Sequence, residues 1–232
     1  MRQLELDHYP KYLDHFRAFI DHTSPISDSS WDKLRSLMKL WRAEKGQRLL
    51  DYMEVETTLR FIGRGIVKCE DHFNGQSFVY DFRVGPIILS ETFSLIHAMP
   101  SRITMETCTE CDFIALPREP LLKLIASEPD LAKFSTYAIV NYMAMGHYRQ
   151  SLLRTLDAES RYKLFLSEFP QVAVACKLED IASYLKVTPP SLSRIRRNIH
   201  WSEKSKPLEV FSNELDLVHQ KWMLSVKQAI KV

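Results

Sequence analysis

Apolar residues near the start of the chain recur at the spacing of one face of a helix. The residues of this face are Tyr12, Phe16, Phe19 and Ile20. A polar run at residues 27–30 supplies N-cap side chains, and apolar residues at helical spacing follow it. These residues are Trp31, Leu34, Leu37 and Met38. The pattern predicts two helices ahead of the first strand.

The pattern changes between residues 46 and 116, where short stretches of β-branched and aromatic residues alternate with glycine turns. Five of the six glycines lie between positions 46 and 85. The stretches cover residues 48–50, 57–62, 66–70, 77–83, 103–108 and 112–116. Short strands at this spacing are typical of an antiparallel roll or sandwich. Asn74-Gly75, between two of the stretches, is a residue pair that tight hairpin turns favour.

After Pro117 the pattern is helical, and Glu128-Pro129-Asp130 is predicted to start a long helix that contains no further proline before Pro170. Apolar residues in this helix repeat every seven positions and form two neighbouring columns along it. Asn141 lies in the second column, and a polar residue at such a position fixes the register of paired helices. We predict a parallel homodimer through this seam. The alternative is that the stripe packs on the chain's own roll. The predicted interface residues are Leu131, Phe134, Ala138, Asn141, Met145, Tyr148 and Leu152.

Two short helices separated by a tight turn are predicted further along the chain. Residues 178–185 form the first helix, and small Ala182 on its apolar face allows a neighbouring helix to approach closely. Residues 189–197 form the second helix, with Thr188 as its N-cap and two prolines in its first turn. This arrangement is typical of a helix-turn-helix.

The same segment is basic. From Lys177 to Lys206 there are seven Lys or Arg against three acidic residues, so this part carries +4 and the rest of the chain −2, out of a net charge of +2. A local basic patch is the electrostatic footprint of nucleic-acid binding. A solvated helical hairpin with an incidental basic face is the alternative, but charge and apolar register agree here. We expect Arg194 to contact base edges and the other polar residues to contact phosphates or remain available for either role. These other residues are Thr188, Ser191, Ser193, Arg196 and Arg197.

Length and composition indicate an ordinary globular protein with more than one domain. The 232 residues exceed the usual size of a single domain, and the hydrophobic (45%) and charged (26%) fractions are average. Four scattered cysteines favour a reducing compartment. No signal-like or membrane-spanning apolar run occurs, so we expect a cytoplasmic protein that does not engage membranes. The predicted units are a sensor roll with N-terminal helices (1–127), a dimerisation helix (128–156), a helix-turn-helix domain (157–200) and a helical tail (201–232).

Local strings within residues 30–198 carry a family resemblance. They are EKGQ at 44–47, RFIGRG at 60–65, PSR at 100–102 and VTPPSLSRIR at 187–196. The sequence resembles Crp/Fnr-type transcriptional regulators, relatives of the cyclic-AMP receptor protein. The resemblance implies an α+β fold with an N-terminal cyclic-nucleotide-binding-like antiparallel β-roll (jelly roll), a long dimerisation helix and a C-terminal helical helix-turn-helix domain. It also implies a homodimeric, sequence-specific DNA-binding regulator, with double-stranded DNA and RNA polymerase as partners.

The positions that bind the nucleotide in such proteins are altered here. Ser90-Glu91 stands where cyclic-nucleotide-binding members have Gly-Glu, and Ser101-Arg102 stands where they have Arg-Ser or Arg-Thr. A shift of one residue in a strand turns a side chain to the opposite face, and serine restricts backbone approach to a phosphate. The chain therefore resembles the subgroup with a degenerate nucleotide motif, and we expect little or no cyclic-AMP binding. Either another, unidentified small molecule binds at these four residues, or the roll is structural.

Two further departures lie near the C-terminal end. Pro189-Pro190 occupies the first turn of the second helix, where relatives of the cyclic-AMP receptor protein have base-reading residues. Residues 199–232 contain no glycine, so we expect the two-stranded wing of the family to be absent or replaced. Residues 213–231 instead have the pattern of an amphipathic helix. This helix would cover the DNA-binding domain, pair with a second chain, or be poorly ordered.

Other candidate sites are weaker. Cys108 and Cys111 form a lone Cys-x-x-Cys, which we interpret as two small apolar residues rather than a redox or metal site. An iron-sulfur sensor of this family needs an N-terminal cysteine cluster, and the first cysteine here is Cys69. His72 and His97 lie in the roll region, but a cupin-like metal enzyme needs a His-x-His pair, which the sequence lacks. We therefore expect no catalysis, metal or iron-sulfur cluster. The rival function is a β-roll ligand-binding or interaction module that has lost DNA binding.

Overall fold

The structure is a computed structural model that describes residues 1–202. Its N-terminal part contains a short strand, a 3-10 turn and two helices. These are β1 (Arg2–Leu4), the turn at Leu6–His8, α1 (Pro10–Thr23) and α2 (Asp28–Ser36). The N-cap of α2 is Ser27, whose hydroxyl accepts a hydrogen bond from the backbone N–H of Ser30 at 3.1 Å. Both predicted helices form, although α2 ends at Ser36 and leaves Leu37 and Met38 outside it.

The middle of the chain forms an antiparallel β-roll. Its elements are β2 (Lys39–Ala43), β3 (Arg48–Leu50), β4 (Thr58–Arg64), β5 (Ile66–Phe73), β6 (Gln76–Val84), β7 (Ile87–Leu89), α3 (Thr92–His97), β8 (Ile103–Thr107) and β9 (Cys111–Pro117). One sheet has the strand order β1-β2-β9-β4-β7, and the other has the order β3-β8-β5-β6. The predicted fold class is confirmed.

Each of the predicted strand stretches corresponds to a strand, although residues 57 and 108 fall just outside β4 and β8, and β1, β2 and β7 were not predicted. The hairpin between β5 and β6 turns at Asn74 and Gly75, which have φ values of 50° and 75°. A two-residue turn with positive φ at both positions matches the twist of the flanking strands. The hairpin prediction is therefore confirmed, with Phe73 paired to Gln76 across it.

Helix α1 covers the first sheet and forms a core with it. The ring of Phe16 stacks on the ring of Phe61 from β4 with centroids 4.5 Å apart, and both side chains are buried. Leu131 and Phe134 belong to the same cluster. These two residues of the predicted interface are buried against the chain's own body, because the start of the long helix lies against α1.

The remaining described residues are helical. They form α4 (Arg118–Ser127), α5 (Pro129–Thr155), α6 (Ala158–Glu168), α7 (Pro170–Ala175), α8 (Leu178–Tyr184) and α9 (Pro189–Ser202). Helix α5 starts where the sequence predicts it, and α9 extends beyond the predicted end at residue 197. The predicted helix at 213–231 and most of the segment expected to lack a wing lie outside the described residues. None of the helices in residues 1–202 is sufficiently long and apolar to cross a membrane.

The C-terminal helices dock on the second sheet of the roll. Phe82 of β6 packs its ring 5.6 Å from the ring of Tyr184 in α8, within one cluster of buried residues. Ser183 Oγ accepts a hydrogen bond from the backbone N–H of Val79 at 3.0 Å. Lys68 Nζ lies 3.3 Å from Asp180 Oδ1. Apolar packing and polar contacts together therefore fix the first helix of the predicted helix-turn-helix on the roll.

Candidate nucleic-acid interface

The turn between α8 and α9 is closed by a complete Schellman motif. The backbone N–H of Val187 donates to the carbonyl of Ala182 at 3.0 Å, and that of Lys186 donates to Ser183 at 3.0 Å. Lys186 adopts φ 57°, the left-handed conformation that this motif requires. The motif satisfies carbonyls that the helix end leaves without partners, and it redirects the chain within three residues. This explains why Lys186 to Thr188 interrupts the helical pattern.

The second helix begins at a capping residue and two prolines. Thr188 Oγ1 accepts a hydrogen bond from the backbone N–H of Ser191 at 3.3 Å, as expected for an N-cap. Pro189 and Pro190 have no N–H to leave unsatisfied in the first turn. Leu192 is completely buried and Ile199 is almost so. These two residues hold α9 on the cluster that also contains Ile181, Ala182 and Leu185 of the first helix and turn.

The opposite side of α9 is open to solvent and positively charged. An α-helix has about 3.6 residues per turn, so Ser193, Arg194 and Arg197 share the face opposite Leu192 and Ile199. All three are exposed. Arg196 is exposed on one flank of this face, whereas Ser191 is half-buried on the other flank and accepts a hydrogen bond from Arg194 at 3.3 Å.

The structure thus brings the predicted DNA-contacting residues together on the N-terminal half of a single helix. The sequence pattern did not separate the face from its flanks, because that distinction depends on which apolar residues are buried. An outward row of guanidinium and hydroxyl groups on a helix is suited to phosphates and to base edges in a major groove.

The predicted ligand residues of the roll differ in their burial and in their hydrogen-bond partners. Glu91 is the N-cap of α3, and its carboxylate accepts hydrogen bonds from the backbone N–H groups of Phe93 at 3.2 Å and Ser94 at 2.5 Å. Ser90 is half-buried beside it. Ser101 is buried and its hydroxyl bonds to the backbone of Ile103.

Arg102 is exposed at the surface of the roll. Its side chain is 70% exposed, and the nearest carboxylate is Asp71 Oδ1 on β5, 3.8 Å from Arg102 NH2. Ser101 and Arg102 lie just before β8, which begins at Ile103, so strand alternation does not decide where this arginine points. The side chains of Glu91 and Arg102 interact with different groups.

A buried ion pair that sequence reasoning missed lies next to α3. Arg60 NH1 donates to Glu56 Oε2 at 2.7 Å, and NH2 donates to the carbonyl of Leu49 at 2.6 Å. Glu56 is fully buried and its backbone N–H donates to Ser94 Oγ at 2.8 Å. The available signal was a pair of opposite charges four residues apart, with Glu56 just before β4 and Arg60 within it. This pair joins the start of α3 to the roll interior.

Helix α5 exposes a row of apolar side chains that the heptad analysis did not select. Tyr137, Val140 and Met143 are 49%, 55% and 65% exposed. The other predicted interface residues are half-buried in this chain; they are Ala138, Asn141, Met145, Tyr148 and Leu152. The exposed row is therefore shifted around the helix from the predicted columns, because one side of α5 packs on the roll.

Within residues 1–202, no group of three or more His, Cys, Asp or Glu side chains is arranged to hold a metal ion. Cys108 and Cys111 belong to different clusters of buried residues. The two residues of the Cys-x-x-Cys string therefore do not form a joint site here.

Similarity to known proteins was found at the level of three-dimensional structure. No protein-family model matches the chain, and no curated protein sequence matches it. FixK2 from Bradyrhizobium japonicum is 17% identical, with a TM-score of 0.62, covering 78% of this chain and 96% of FixK2. A protein from Eubacterium rectale described as a regulator of the Crp/Fnr family is 13% identical, with a TM-score of 0.64, covering 82% of this chain and 88% of that one. A cyclic nucleotide-binding domain from Methylobacillus flagellatus is 21% identical, with a TM-score of 0.54, covering 62% and 83%. The chain therefore has the fold of Crp/Fnr-type regulators.

Proposed function

We propose that this chain is a homodimeric, sequence-specific DNA-binding transcriptional regulator whose sensor domain does not respond to cyclic AMP. The observation that carries the proposal is the exposed cationic face of α9, presented by a helix-turn-helix whose turn and cap are fully formed. Structural neighbours include regulators and a cyclic nucleotide-binding domain, and none of those compared is an enzyme. We accordingly assign the chain no catalytic activity.

We assign each polar residue of α9 to a base edge or to a phosphate according to its position on the helix. Arg194, at the centre of the face and near the start of the helix, is assigned to a base edge, since recognition helices read bases with their N-terminal residues. Arg196 on the flank and Arg197 are assigned to phosphates, together with Thr188. Ser191 and Ser193 supply hydroxyls at either kind of contact.

The sensor assignment rests on how the roll uses its polar groups. The Glu91 carboxylate already caps α3, and Arg102 lies in solvent near Asp71. These interactions support the proposal that neither group binds the ribose hydroxyl or the phosphate of a cyclic nucleotide. The roll therefore either binds a different small molecule near Ser90 and Glu91 or supports the dimer without an effector.

Dimerisation is assigned to α5. Tyr137, Val140 and Met143 expose apolar surface along this helix, and a second copy packed in parallel would bury it together with the half-buried Asn141. Two DNA-binding domains related by a dimer axis require two half-sites. The proposed partners, DNA and RNA polymerase, would be bound in the cytoplasm, which is the location predicted from the sequence.

DNA binding is tested by fluorescence anisotropy at several salt concentrations. Replacing Arg196 or Arg197 with alanine should lower the magnitude of the slope of log affinity against log salt by about 1 each. The reason is that fewer counterions are released from the DNA on binding when one phosphate contact is lost. Arg194→Ala should cost about 1–3 kcal/mol on the selected site and little on random duplex. The matched control is Arg35→Ala, an exposed arginine of α2 that pairs with Asp7 at 2.9 Å.

Selection of duplexes from a random library provides the target and tests the dimer at the same time. Selected sequences should contain two half-sites about one helical turn apart. A complete lack of salt-dependent binding to any duplex would refute the regulator proposal and favour the interaction-module alternative.

A further inference from the structure

A short joint connects α5 to the C-terminal domain, which consists of α6 to α9. Helix α5 ends at Thr155 and α6 begins at Ala158. Leu156 between them has an extended backbone, with φ −79° and ψ 148°, so the two helices are not continuous. Arg161 NH1 donates to the carbonyl of Leu153 at 3.1 Å across this joint. A contact so close to a pivot restrains the angle between two helices less than a contact further out, so the more distant contacts decide the orientation of the C-terminal domain.

Arg149 makes such a distant contact from α5. It precedes the joint by about two helical turns. Its Nε lies 3.3 Å from Oε2 of Glu168, the last residue of α6. Its Cζ lies 5.1 Å from the ring centroid of Phe169, the next residue along the chain. On the other side, Arg149 NH1 donates to Asp81 Oδ1 of β6 at 3.2 Å. One guanidinium group on α5 therefore contacts both the roll and the C-terminal domain.

The charged groups around Arg149 are mostly buried and balance one another. The side chains of Arg149, Asp81 and Glu168 are 15%, 11% and 8% exposed. Asp81 Oδ2 also pairs with Arg83 NH2 at 2.7 Å, so two guanidinium groups face two carboxylates. Removing one partner from such a group leaves an uncompensated charge in a poorly hydrated place. The Glu168 carboxylate would be hydrated if α6 moved away from the roll, so the cost of losing Arg149 falls on the docked arrangement.

Phe169 extends the contact from Arg149 to the helix-turn-helix. Its ring packs edge to face against the ring of Tyr184 in α8, with centroids 6.0 Å apart. Both residues belong to the cluster of buried residues that includes Leu192 of α9. Because buried side chains pack closely and deform little, α6, α8 and α9 keep their mutual arrangement. The position of Phe169 against Arg149 is therefore linked to the position of α9 relative to α5.

We propose, on the basis of the dimeric DNA binding proposed above, that Arg149 is a positioning residue that fixes the orientation of α9 relative to the dimer helix α5. Two copies of α9 must meet two half-sites at a set separation. A C-terminal domain that turns about the joint at 156–157 presents α9 over a range of separations. Two linked binding modules gain affinity from each other only when their geometry permits simultaneous binding. A chain without this contact should therefore lose affinity for paired half-sites.

Hydrogen exchange measured by NMR tests the docking of the C-terminal domain without DNA. The backbone N–H of Val79 in β6 donates to Ser183 Oγ of α8 at 3.0 Å, so its protection reports the docked arrangement. The N–H groups of Thr107 and Val187 bond within the roll and within the helix-turn-helix, and they report the integrity of each unit. We expect Arg149→Met to speed the exchange of Val79 at least about tenfold and to leave the other two amides unchanged.

Two further variants make this measurement specific. Glu168→Gln removes the same ion pair from the side of α6 and keeps the shape of the side chain, so it should also speed the exchange of Val79. Arg154→Met makes the matched substitution at an exposed arginine of α5 and should leave this exchange unchanged. Unchanged exchange at Val79 in both Arg149→Met and Glu168→Gln would overturn the proposal. Equal acceleration at Val79 and Thr107 would also overturn it, because the roll as a whole would then be destabilised.

Binding to duplexes of different spacing tests the consequence for DNA. The selected duplex is compared with a copy whose half-sites are separated by one additional base pair, and with a duplex that contains one half-site. Arg149→Met should bind the selected duplex at least about tenfold more weakly, discriminate less between the two spacings, and bind the single half-site as the unmodified chain does. Unchanged discrimination between the spacings would refute the role of Arg149 alone. An unmodified chain that binds no duplex would instead refute the proposed function itself.

Discussion

Asp112 is the centre of a buried ionic network that ties three elements of the roll together. It is fully buried on β9 and accepts hydrogen bonds from Arg42 of β2 at 2.6 and 3.0 Å and from Arg64 of β4 at 3.1 Å. The hydroxyl of Tyr12 from α1 donates a further short hydrogen bond to it. Asp112→Asn keeps the shape of the side chain and removes the charge, so it tests the network directly.

The size of the effect follows from the exposure of the partners. Breaking a buried ion pair costs about 3–5 kcal/mol because an uncompensated charge is left behind. Here the side chains of Arg42 and Arg64 are 22% and 51% exposed, and Glu110 still faces both of them. Water and Glu110 therefore compensate part of the loss. We expect Asp112→Asn to lower the free energy of unfolding by about 3 kcal/mol, the low end of that range.

Urea denaturation followed by circular dichroism measures this change. The matched control is Asp32→Asn, an exposed aspartate of α2, which should shift the free energy of unfolding by less than about 0.5 kcal/mol. A loss below about 1 kcal/mol for Asp112→Asn, with an unchanged m value, would refute the argument that the network stabilises the roll.

The same carboxylate predicts a pH dependence. Burial alone would raise the pKa of Asp112, but hydrogen bonds from Arg42 and Tyr12 and the charge of Arg64 together lower it. A folded-state pKa below the unfolded value of about 3.9 means that its stabilisation is complete above that pH and is lost as the pH falls through the folded-state pKa. The difference in stability between the unmodified chain and Asp112→Asn should therefore shrink as the pH falls below about 4. A difference that stays constant down to acid unfolding would contradict this.

Two further predictions concern the sensor and the turn. Calorimetric titration with cyclic AMP should show no binding in the low-micromolar range, because Glu91 caps α3 and Arg102 faces solvent; a dissociation constant in that range contradicts the sensor assignment. Lys186→Gly should stabilise the chain by about 0.5–1 kcal/mol, since it relieves left-handed strain of about 1–2 kcal/mol and is offset by the greater freedom of glycine in the unfolded chain. A lower urea midpoint for this variant would show that the strain is not present.

Local pattern was sufficient for much of the fold and for the candidate interface. The Asn74-Gly75 turn, the Ser27 cap and the short helices on either side of Lys186 were all predicted from residues within a few positions of one another. These features depend on backbone conformation and on side chains one helical turn apart, which a sequence displays directly. Strands β1 and β7, at the edges of their sheet, and β2 were not predicted, although β3 was predicted with only three residues.

Tertiary structure decided the features that join distant positions. The Arg42–Asp112 pair links residues 70 positions apart, and the Lys68–Asp180 pair links residues 112 positions apart. Helix α5 has one apolar pattern, but packing against α1 determined that Leu131 is buried and that Val140 is exposed. The apolar periodicity of a helix shows which of its faces is apolar but not which part of the protein packs on that face. Sheet pairing and domain docking decide the packing partner. The sequence by itself therefore indicated many of the helices and strands and the charge of α9, and only the folded chain decided which side chains of those elements are buried and which remain exposed.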